Sequence, residues 1–228
     1  MDFDTWNPVY EAILQDFGFD RAADERARDV LAGVLDDRYD ASDLDVAGKT
    51  VAIAGAGPSL SANLGLARDA DAVFAASNAA TVLREAGVPV DCMVTDVDKS
   101  PATAQALTGE GTPVAVHAHG DNVPELREHV PRFDHAFVLP TTQAEPTAVV
   151  ANYGGFTDGD RAAFLADALG AGRLTFPGWD FDDPAVGPMK RRKLRWAARL
   201  LLWLERRRGE RFGVLDGRRD AIDDAALP

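Results

Sequence analysis

The middle of this 228-residue chain alternates short apolar runs with helix-compatible segments, and this alternation limits the fold more than any other feature. The apolar runs lie at 50–54, 72–76, 90–94, 113–117 and 135–139, and a shorter one lies at 173–176. Strands that alternate with helices form a mostly parallel sheet covered on both faces. The sequence therefore predicts an α/β fold with a Rossmann-like, mostly parallel sheet and helices on both faces.

Both ends of the chain are predicted to be helical. Apolar side chains recur at helical spacing within 6–38, where Gly18 can end the first of two helices, and a long closing helix is predicted over 189–208. We therefore expect an N-terminal helical region over 1–48, an α/β domain that includes the closing helix over 49–215, and a frayed polar tail over 216–228.

The charged residues are unusual in kind as well as in number. The net charge is −13, with 28 Asp against 9 Glu and 20 Arg against 4 Lys. An excess of Asp with few Lys favours a halophilic protein, because concentrated salt screens self-repulsion. The alternative is an ordinary acidic surface. A surface of this charge repels nucleic acid, so we expect no nucleic-acid partner.

Compartment and assembly are constrained only weakly. No run reaches the roughly 20 apolar residues that cross a bilayer, and the first residues lack the pattern of a signal peptide. Cys92, the single cysteine, cannot form an internal disulfide. We expect a cytoplasmic protein without a membrane partner, and the sequence leaves open whether it forms a homo-oligomer.

The first apolar run ends in the motif GAGPSL at 55–60. Gly55 and Gly57 let the backbone approach a ligand, and Pro58 and Ser59 begin a helix whose N-terminus favours an anion. A plain turn between strand and helix is the alternative. The second run ends near Asn78, without the acid that would hold the ribose of a dinucleotide. The glycine motif therefore predicts a contact to phosphate or to a nucleotide. The missing acid after the second run argues against NAD as that nucleotide.

Two carboxylates follow the third run. Asp96 and Asp98 leave the predicted strand at its carboxyl end, where parallel sheets bind ligands. Mg²⁺ takes one or two protein carboxylates and completes its shell with water and phosphate oxygens. A solvated loop is the alternative in so acidic a chain. We predict that both aspartates bind Mg²⁺.

The fourth run ends in the motif HAHGDN at 117–122. His117, His119 and Asp121 could form a transition-metal site. We prefer a polar wall in which His119 contacts phosphate or substrate and Asp121 is a second metal or substrate carboxylate, because no fourth zinc ligand is evident.

Two later segments carry further candidates. The Gly-rich segment 152–161 contains Asn152 and Asp158, and more glycine than a helix start needs. Thr157 or Asp158 could instead cap the following helix. Lys190 and Lys193, half of all the lysines, begin the closing helix and could reach a polyphosphate. A solvated basic face or a membrane-surface helix is the alternative.

These motifs, in this order, resemble the archaeal 6-hydroxymethyl-7,8-dihydropterin pyrophosphokinase family. The resemblance spans about 6–208 and rests on 55–60, 95–98, 117–122 and 155–161. A fainter similarity to thiamine pyrophosphokinases lies in 75–81, 87–91, 95–98 and Thr157-Asp158. Ser77 departs from that second pattern.

The resemblance implies an Mg²⁺-dependent reaction with ATP as co-substrate. The pterin hydroxymethyl oxygen attacks the β-phosphorus of ATP, and AMP leaves. The implied catalytic residues are Asp96, Asp98, Asp121 and Asp158, with Mg²⁺ on the first two. The implied contacts to ATP or pterin are Gly55, Gly57, Pro58, Ser59, Asn78, His119, Asn152, Lys190 and Lys193.

Three rival functions fit parts of the same pattern. A nucleotide-sugar-dependent glycosyltransferase, related to flagellar modification proteins, also uses an Asp-x-Asp motif. A regulatory module would bind ATP without turnover, and the density of carboxylates argues against it because carboxylates repel phosphate unless a metal intervenes. An NAD-dependent oxidoreductase has only the weak glycine motif in its favour.

Overall fold

A six-stranded sheet forms the centre of the computed structural model, which describes residues 1–227. Every pairing between its strands is parallel, and the order across the sheet is β5-β4-β3-β2-β1-β6. The strands are β1 (Thr50–Ala54), β2 (Ala72–Ala76), β3 (Cys92–Thr95), β4 (Val114–Ala118), β5 (Val138–Thr142) and β6 (Arg173–Thr175). The α/β prediction is confirmed.

Eight α-helices within the described residues cover the two faces of the sheet. They are α1 (Phe3–Phe17), α2 (Arg21–Val34), α3 (Leu64–Arg68), α4 (Ala79–Glu85), α5 (Pro101–Gly109), α6 (Val123–His129), α7 (Asp158–Ala168) and α8 (Pro188–Arg208). Helices α1, α7 and α8 share one buried apolar cluster, and α2 to α6 share the other. Because both faces are covered, β2 and β4 are buried throughout, which explains why β2 is entirely apolar and β4 is apolar except for His117.

The N-terminal helices are built into the core. In α1, Trp6 and Tyr10 are fully buried, and the Trp6 ring lies 6.4 Å from Phe164 and 6.5 Å from Trp203. In α2, Ala27 and Leu31 belong to the cluster on the opposite face. The turn between these two helices therefore passes over the carboxyl edge of the sheet.

Two elements differ from the sequence-based expectation. The fifth strand begins at Val138 instead of residue 135, because the Asp134 carboxylate accepts a hydrogen bond from the Ala136 amide and holds a 3₁₀ turn. The helix expected over 59–68 is a 3₁₀ turn followed by the five-residue α3. The GAGPSL motif therefore does not lead into a long helix.

The C-terminal segment lies against α8. Ile222 and Leu227 pack on the core, and Arg199 of α8 pairs with Asp223 at 2.7 Å. Helix α8 is strongly basic at both ends. Among residues 1–227, no helix combines the length and the hydrophobicity that crossing a membrane requires.

The topology fixes where a ligand can bind. From β1 the chain adds strands in one direction as far as β5 and then returns to place β6 on the other side of β1. Parallel sheets bind ligands outside the carboxyl ends of the strands at such a switch point. Here that point lies between the loops that follow β1 and β6.

Candidate active site

A cavity of about 580 Å³ opens at the carboxyl edge of the sheet. Eleven of the thirteen predicted site residues line it, namely Gly55, Gly57, Pro58, Asn78, Asp96, Asp98, His119, Asp121, Asp158, Lys190 and Lys193. Ser59 and Asn152 lie outside its lining. The structure thus brings together residues from loops that are far apart in the sequence.

The Asp-x-Asp turn has an unusual backbone. Val97 lies between the two aspartates with a φ of 59°, a left-handed conformation that β-branched residues rarely adopt. Its side chain is buried, and its amide donates a 3.0 Å hydrogen bond to the Thr95 hydroxyl. Within the turn the Asp98 amide donates a 3.3 Å hydrogen bond to Asp96 Oδ1, and both carboxyl groups line the cavity. Strain of this kind is typical of functional sites.

Three carboxylates share this part of the cavity. Burial, and then the adjacent Asp96 carboxylate, raise the pKa of Asp98 to about 6. Burial, and then the Asp96 charge, raise the pKa of Asp158 to about 7. For Asp96, burial is outweighed by hydrogen bonds from His119 and Asp98, which hold its pKa well below its usual range. Carboxylates gathered in this way repel one another, and a cation bound beside them would relieve that repulsion.

Asp158 faces a buried guanidinium. Arg161, one turn further along α7, donates from Nη1 to Asp158 Oδ1 at 3.1 Å and from Nη2 to Gln143 Oε1 at 3.2 Å. The N-cap of α7 is Thr157, whose capping box is completed by Asp160. Asp160 is fully buried and accepts hydrogen bonds from the Phe156 and Thr157 amides, so its carboxylate is not free to bind a ligand in the cavity.

His119 bridges two acids. Its Nε2 lies 3.3 Å from Asp96 Oδ2 and its Nδ1 lies 2.5 Å from Asp121 Oδ1. Burial lowers the pKa of His119, but the hydrogen bonds to Asp121 and Asp96 outweigh it and leave that pKa raised. The loop is held by Asn122, whose Nδ2 donates to the Asp96 carbonyl at 2.9 Å. The Asp121 side chain is largely exposed.

His117 is separate from this cluster. Its Nδ1 lies 3.1 Å from Thr141 Oγ1, and complete burial lowers its pKa well below the usual value. It does not line the cavity. Throughout residues 1–227, no group of three or more His, Cys, Asp and Glu side chains could hold a metal ion by itself. The arrangement matches a polar wall better than a zinc site.

The glycine motif serves close packing between two loops. A Cβ on Gly55 would lie 2.6 Å from the Gly178 carbonyl oxygen, and one on Gly57 would lie 2.3 Å from Asp180 Oδ2. The Ser59 amide and hydroxyl both donate to Asp180 Oδ2, at 2.9 and 2.7 Å. The expected anion site at a helix N-terminus is therefore not formed, because Asp180 already occupies these donors and α3 is short.

The two predicted asparagines are placed differently. Asn78 lines the cavity at the end of β2 and accepts a 2.6 Å hydrogen bond from the Ser100 hydroxyl. Asn152 donates to the carbonyls of Gln143 and Ala144 and accepts from the Gly154 amide. The side-chain amide of Asn152 therefore hydrogen-bonds the backbone of its own loop, and Asn152 does not line the cavity.

Four cationic side chains surround the carboxylates. Lys190 and Lys193 reach the cavity from the first turns of α8, and Lys99 and Arg161 join them. The surrounding protein weakens hydration of Lys190 and lowers its pKa. The Lys193 ammonium lies 5.8 Å from the centre of the Phe156 ring. Cations beside acids suit a ligand that carries phosphates and a metal ion.

Several lining residues had no role assigned from the sequence. They are Phe19, Asp20, Asp24, Lys99, Gln143, Arg161, Trp179 and Asp180. Lys99 directly follows the motif 95–98 and Arg161 is the last residue of the motif 155–161, so their positions were a usable signal. The others come from the α1–α2 helices and from the segments after β5 and β6, and nothing in their local pattern marked them.

The fold and the cavity define an α/β protein whose acidic and cationic side chains meet at the carboxyl edge of a parallel sheet. The chain matches the family described as 6-hydroxymethylpterin diphosphokinase MptE-like over residues 32–185. This chain belongs to that family.

Three curated relatives have the same name, 6-hydroxymethyl-7,8-dihydropterin pyrophosphokinase. The protein from Methanothermobacter thermautotrophicus is 41% identical, with 90% of this chain and 96% of that protein covered. The Pyrococcus furiosus protein is 35% identical, with 90% and 95% covered. The Methanocaldococcus jannaschii protein is 29% identical, with 90% and 96% covered. The similarity therefore extends over nearly the whole of each chain.

Proposed function

We propose that this protein transfers the diphosphate group of ATP to 6-hydroxymethyl-7,8-dihydropterin and releases AMP. The observation that carries the proposal is the group of Asp96, Asp98 and Asp158, set beside cations in the cavity at the carboxyl edge of the sheet. The names of the relatives supply the acceptor. The product would enter the synthesis of a pterin coenzyme of the methanopterin or folate type.

The donor set fits Mg²⁺. Asp96 and Asp98 offer two carboxylates in the same cavity. Burial is the main cause of the raised pKa of Asp98, and the neighbouring Asp96 carboxylate, whose repulsion a cation would relieve, adds to it. Mg²⁺ needs only one or two protein carboxylates and takes its remaining ligands from water and phosphate oxygens. We therefore assign Mg²⁺ to Asp96 and Asp98. Bound there with ATP, it would neutralise negative charge on the phosphates.

The cations position the phosphates. Phosphoryl transfer depends mainly on alignment and charge neutralisation, so fixed cations contribute more than covalent catalysis. We assign Arg161, Lys190 and Lys193 to phosphate oxygens, together with the protonated form of His119. Arg161 is the most constrained of these, since Asp158 and Gln143 hold two of its nitrogens.

Asp158 is the better candidate for accepting the hydroxyl proton. Its carboxylate is largely buried in the cavity wall, whereas Asp121 is mostly exposed and bonded to His119. In the proposed step, the pterin hydroxyl oxygen forms a bond to the β-phosphorus as its proton passes to Asp158. The bond from that phosphorus to the α–β bridging oxygen breaks, and AMP leaves with the electron pair.

The decisive experiment measures AMP release. Purified protein in concentrated KCl is given ATP, Mg²⁺ and the dihydropterin, with thiamine as a parallel acceptor. We expect AMP in amounts equal to the pterin diphosphate, and none without acceptor. AMP formed only with thiamine would show that thiamine, and not the pterin, is the acceptor. Folded protein that forms no AMP with either acceptor would overturn the proposal.

A further inference from the structure

Phe19 is an exposed aromatic residue at the wall of the active-site cavity. Four large apolar side chains are exposed in residues 1–227, namely Phe19, Leu66, Val149 and Met189. Of these four, Phe19 lines the cavity and the other three do not. It is 39% exposed, and it lies in the turn between α1 and α2, outside the segment that matches the family. An apolar ring kept in water beside a substrate cavity suggests a ligand contact.

The ring is firmly supported from behind. Phe19 stacks on Phe17 with ring centres 5.2 Å apart and planes 19° from parallel, and Phe17 in turn lies 5.0 Å from Phe156. The Arg192 guanidinium lies 4.7 Å from the Phe17 ring centre, and Asp16 holds it at 2.7 Å. The Phe19 backbone is fixed as well, since its amide donates to the Leu14 carbonyl at 3.0 Å.

The row of rings therefore ends at the cavity with Phe19. Aromatic rings stack readily on flat heterocycles, because both present extended π faces, and a supported ring loses little entropy on binding. Phe156, at the other end of the row, also lines the cavity and directly precedes the cap of α7. The row thus connects the turn between α1 and α2 to the loop that carries Asp158.

We propose that Phe19 binds one of the two substrates by stacking on its flat nitrogen heterocycle. This inference rests on the proposed function, in which both substrates contain such a ring, the adenine of ATP and the pterin. It adds a substrate-binding residue from the turn between α1 and α2, which lies outside residues 32–185. The shared chemistry is a planar, hydrogen-bonding aromatic ring, and separate kinetics for each substrate decide which one is bound.

The test compares KM values for ATP and for the pterin, each measured with the other substrate saturating. Phe19→Ala is expected to raise one of the two KM values about tenfold, within the range of aromatic–base stacking. Phe19→Tyr retains the ring and should stay within about twofold of wild type, whereas Phe19→Leu keeps apolar bulk without a π face and should resemble Phe19→Ala. A KM effect in Phe19→Ala alone, with Phe19→Leu normal, would overturn stacking.

The matched control is Leu66→Ala, which removes an exposed apolar side chain outside the cavity. Wild-type turnover together with unchanged KM values in Phe19→Ala would overturn this inference and leave the proposed function intact. If wild type shows no turnover, calorimetric binding of ATP and of the pterin replaces kinetics. Weaker binding of one ligand by Phe19→Ala would then support the stacking role. Equal ligand binding by wild type and Phe19→Ala, or no binding of either ligand by wild type, would overturn the stacking role.

Discussion

The Asp24 carboxylate accepts a 2.8 Å hydrogen bond from the side-chain amide of Gln143, and this contact connects the second helix to the active site. Gln143 in turn accepts from Arg161, which holds Asp158. Asp24 is buried and also accepts a 2.7 Å bond from the Gly120 amide. The N-terminal helices therefore help to position Arg161.

Replacing Asp24 with Asn should reduce both stability and activity. The NH₂ group of the substituted side chain would face one of the hydrogen-bond donors that Asp24 now accepts from. An unmatched buried donor lowers the free energy of unfolding by about 1–3 kcal/mol. We also expect kcat/KM to fall about tenfold because Arg161 loses its fixed support. Asp29→Asn, on the same helix but exposed, is the control. Urea denaturation and AMP release measure the two effects, and equal behaviour of the two variants would contradict the positioning role.

Asp96→Asn and Asp98→Asn should each lower kcat by at least about a hundredfold, because each removes charge from the proposed Mg²⁺ site. Initial rates are measured across Mg²⁺ concentrations. Asp45→Asn, at an exposed aspartate paired with Lys49, should behave as wild type. Near-normal turnover of either variant at saturating Mg²⁺ would contradict the assignment of that aspartate as a Mg²⁺ ligand.

Gly57→Ala should disrupt the contact between the loops after β1 and β6. The new Cβ would lie 2.3 Å from Asp180 Oδ2 and 2.7 Å from the Gly178 carbonyl. We expect a loss of about 1–3 kcal/mol in unfolding free energy. Gly65→Ala adds the same methyl group in α3 where nothing lies within 4 Å, and should be neutral or stabilising by about 0.4–1 kcal/mol. Equal urea denaturation midpoints for Gly57→Ala and Gly65→Ala would contradict the proposal that Gly57 is needed for close packing of the two loops.

His117 should make stability fall as the pH drops below 6.5. Its pKa in the folded protein is far below 6.5, chiefly because of burial and then Arg161 and His119, while Asp96 opposes the shift. The unfolded chain therefore binds the proton first. From pH 7.5 to 5.5 this group alone costs about 1.4 kcal/mol.

The raised pKa values of Asp98 and Asp158 act in the opposite direction, because the folded protein binds their protons more readily. Comparing wild type with His117→Gln therefore isolates the histidine contribution. The two urea midpoints should converge as the pH falls from 7.5 to 5.5. Parallel curves would show that His117 does not titrate on unfolding.

Salt should stabilise the protein if its acidic surface is an adaptation to a saline cytoplasm. The net charge of −13 produces self-repulsion that salt screens, with a Debye length of about 3 Å at 1 M. We expect the thermal midpoint to be higher in 2 M KCl than in 0.1 M KCl. A midpoint that does not change with KCl concentration would favour an ordinary acidic surface.

Much of the site could be predicted because its motifs are local. Asp96 follows β3 and His119 follows β4, and in a parallel sheet the carboxyl ends of all strands meet at one edge. The prediction that Asn152 contacts a ligand was wrong, because a side-chain amide can hydrogen-bond the backbone of its own loop as readily as it can bind a ligand. The helix expected after Ser59 is instead a 3₁₀ turn followed by α3, and Ser59 donates to Asp180, 121 residues away, which no local pattern predicts.

The sequence by itself determined the alternation of strands and helices, the parallel sheet and the edge at which polar residues gather, since these follow from periodicity and chain order. Only the tertiary structure decided that Asp24 supports Arg161, that Gly57 makes room for Asp180 and that Phe19 borders the cavity. These contacts join residues far apart in the chain, and their partners are selected by packing and by the need to satisfy buried polar groups, which no local pattern encodes.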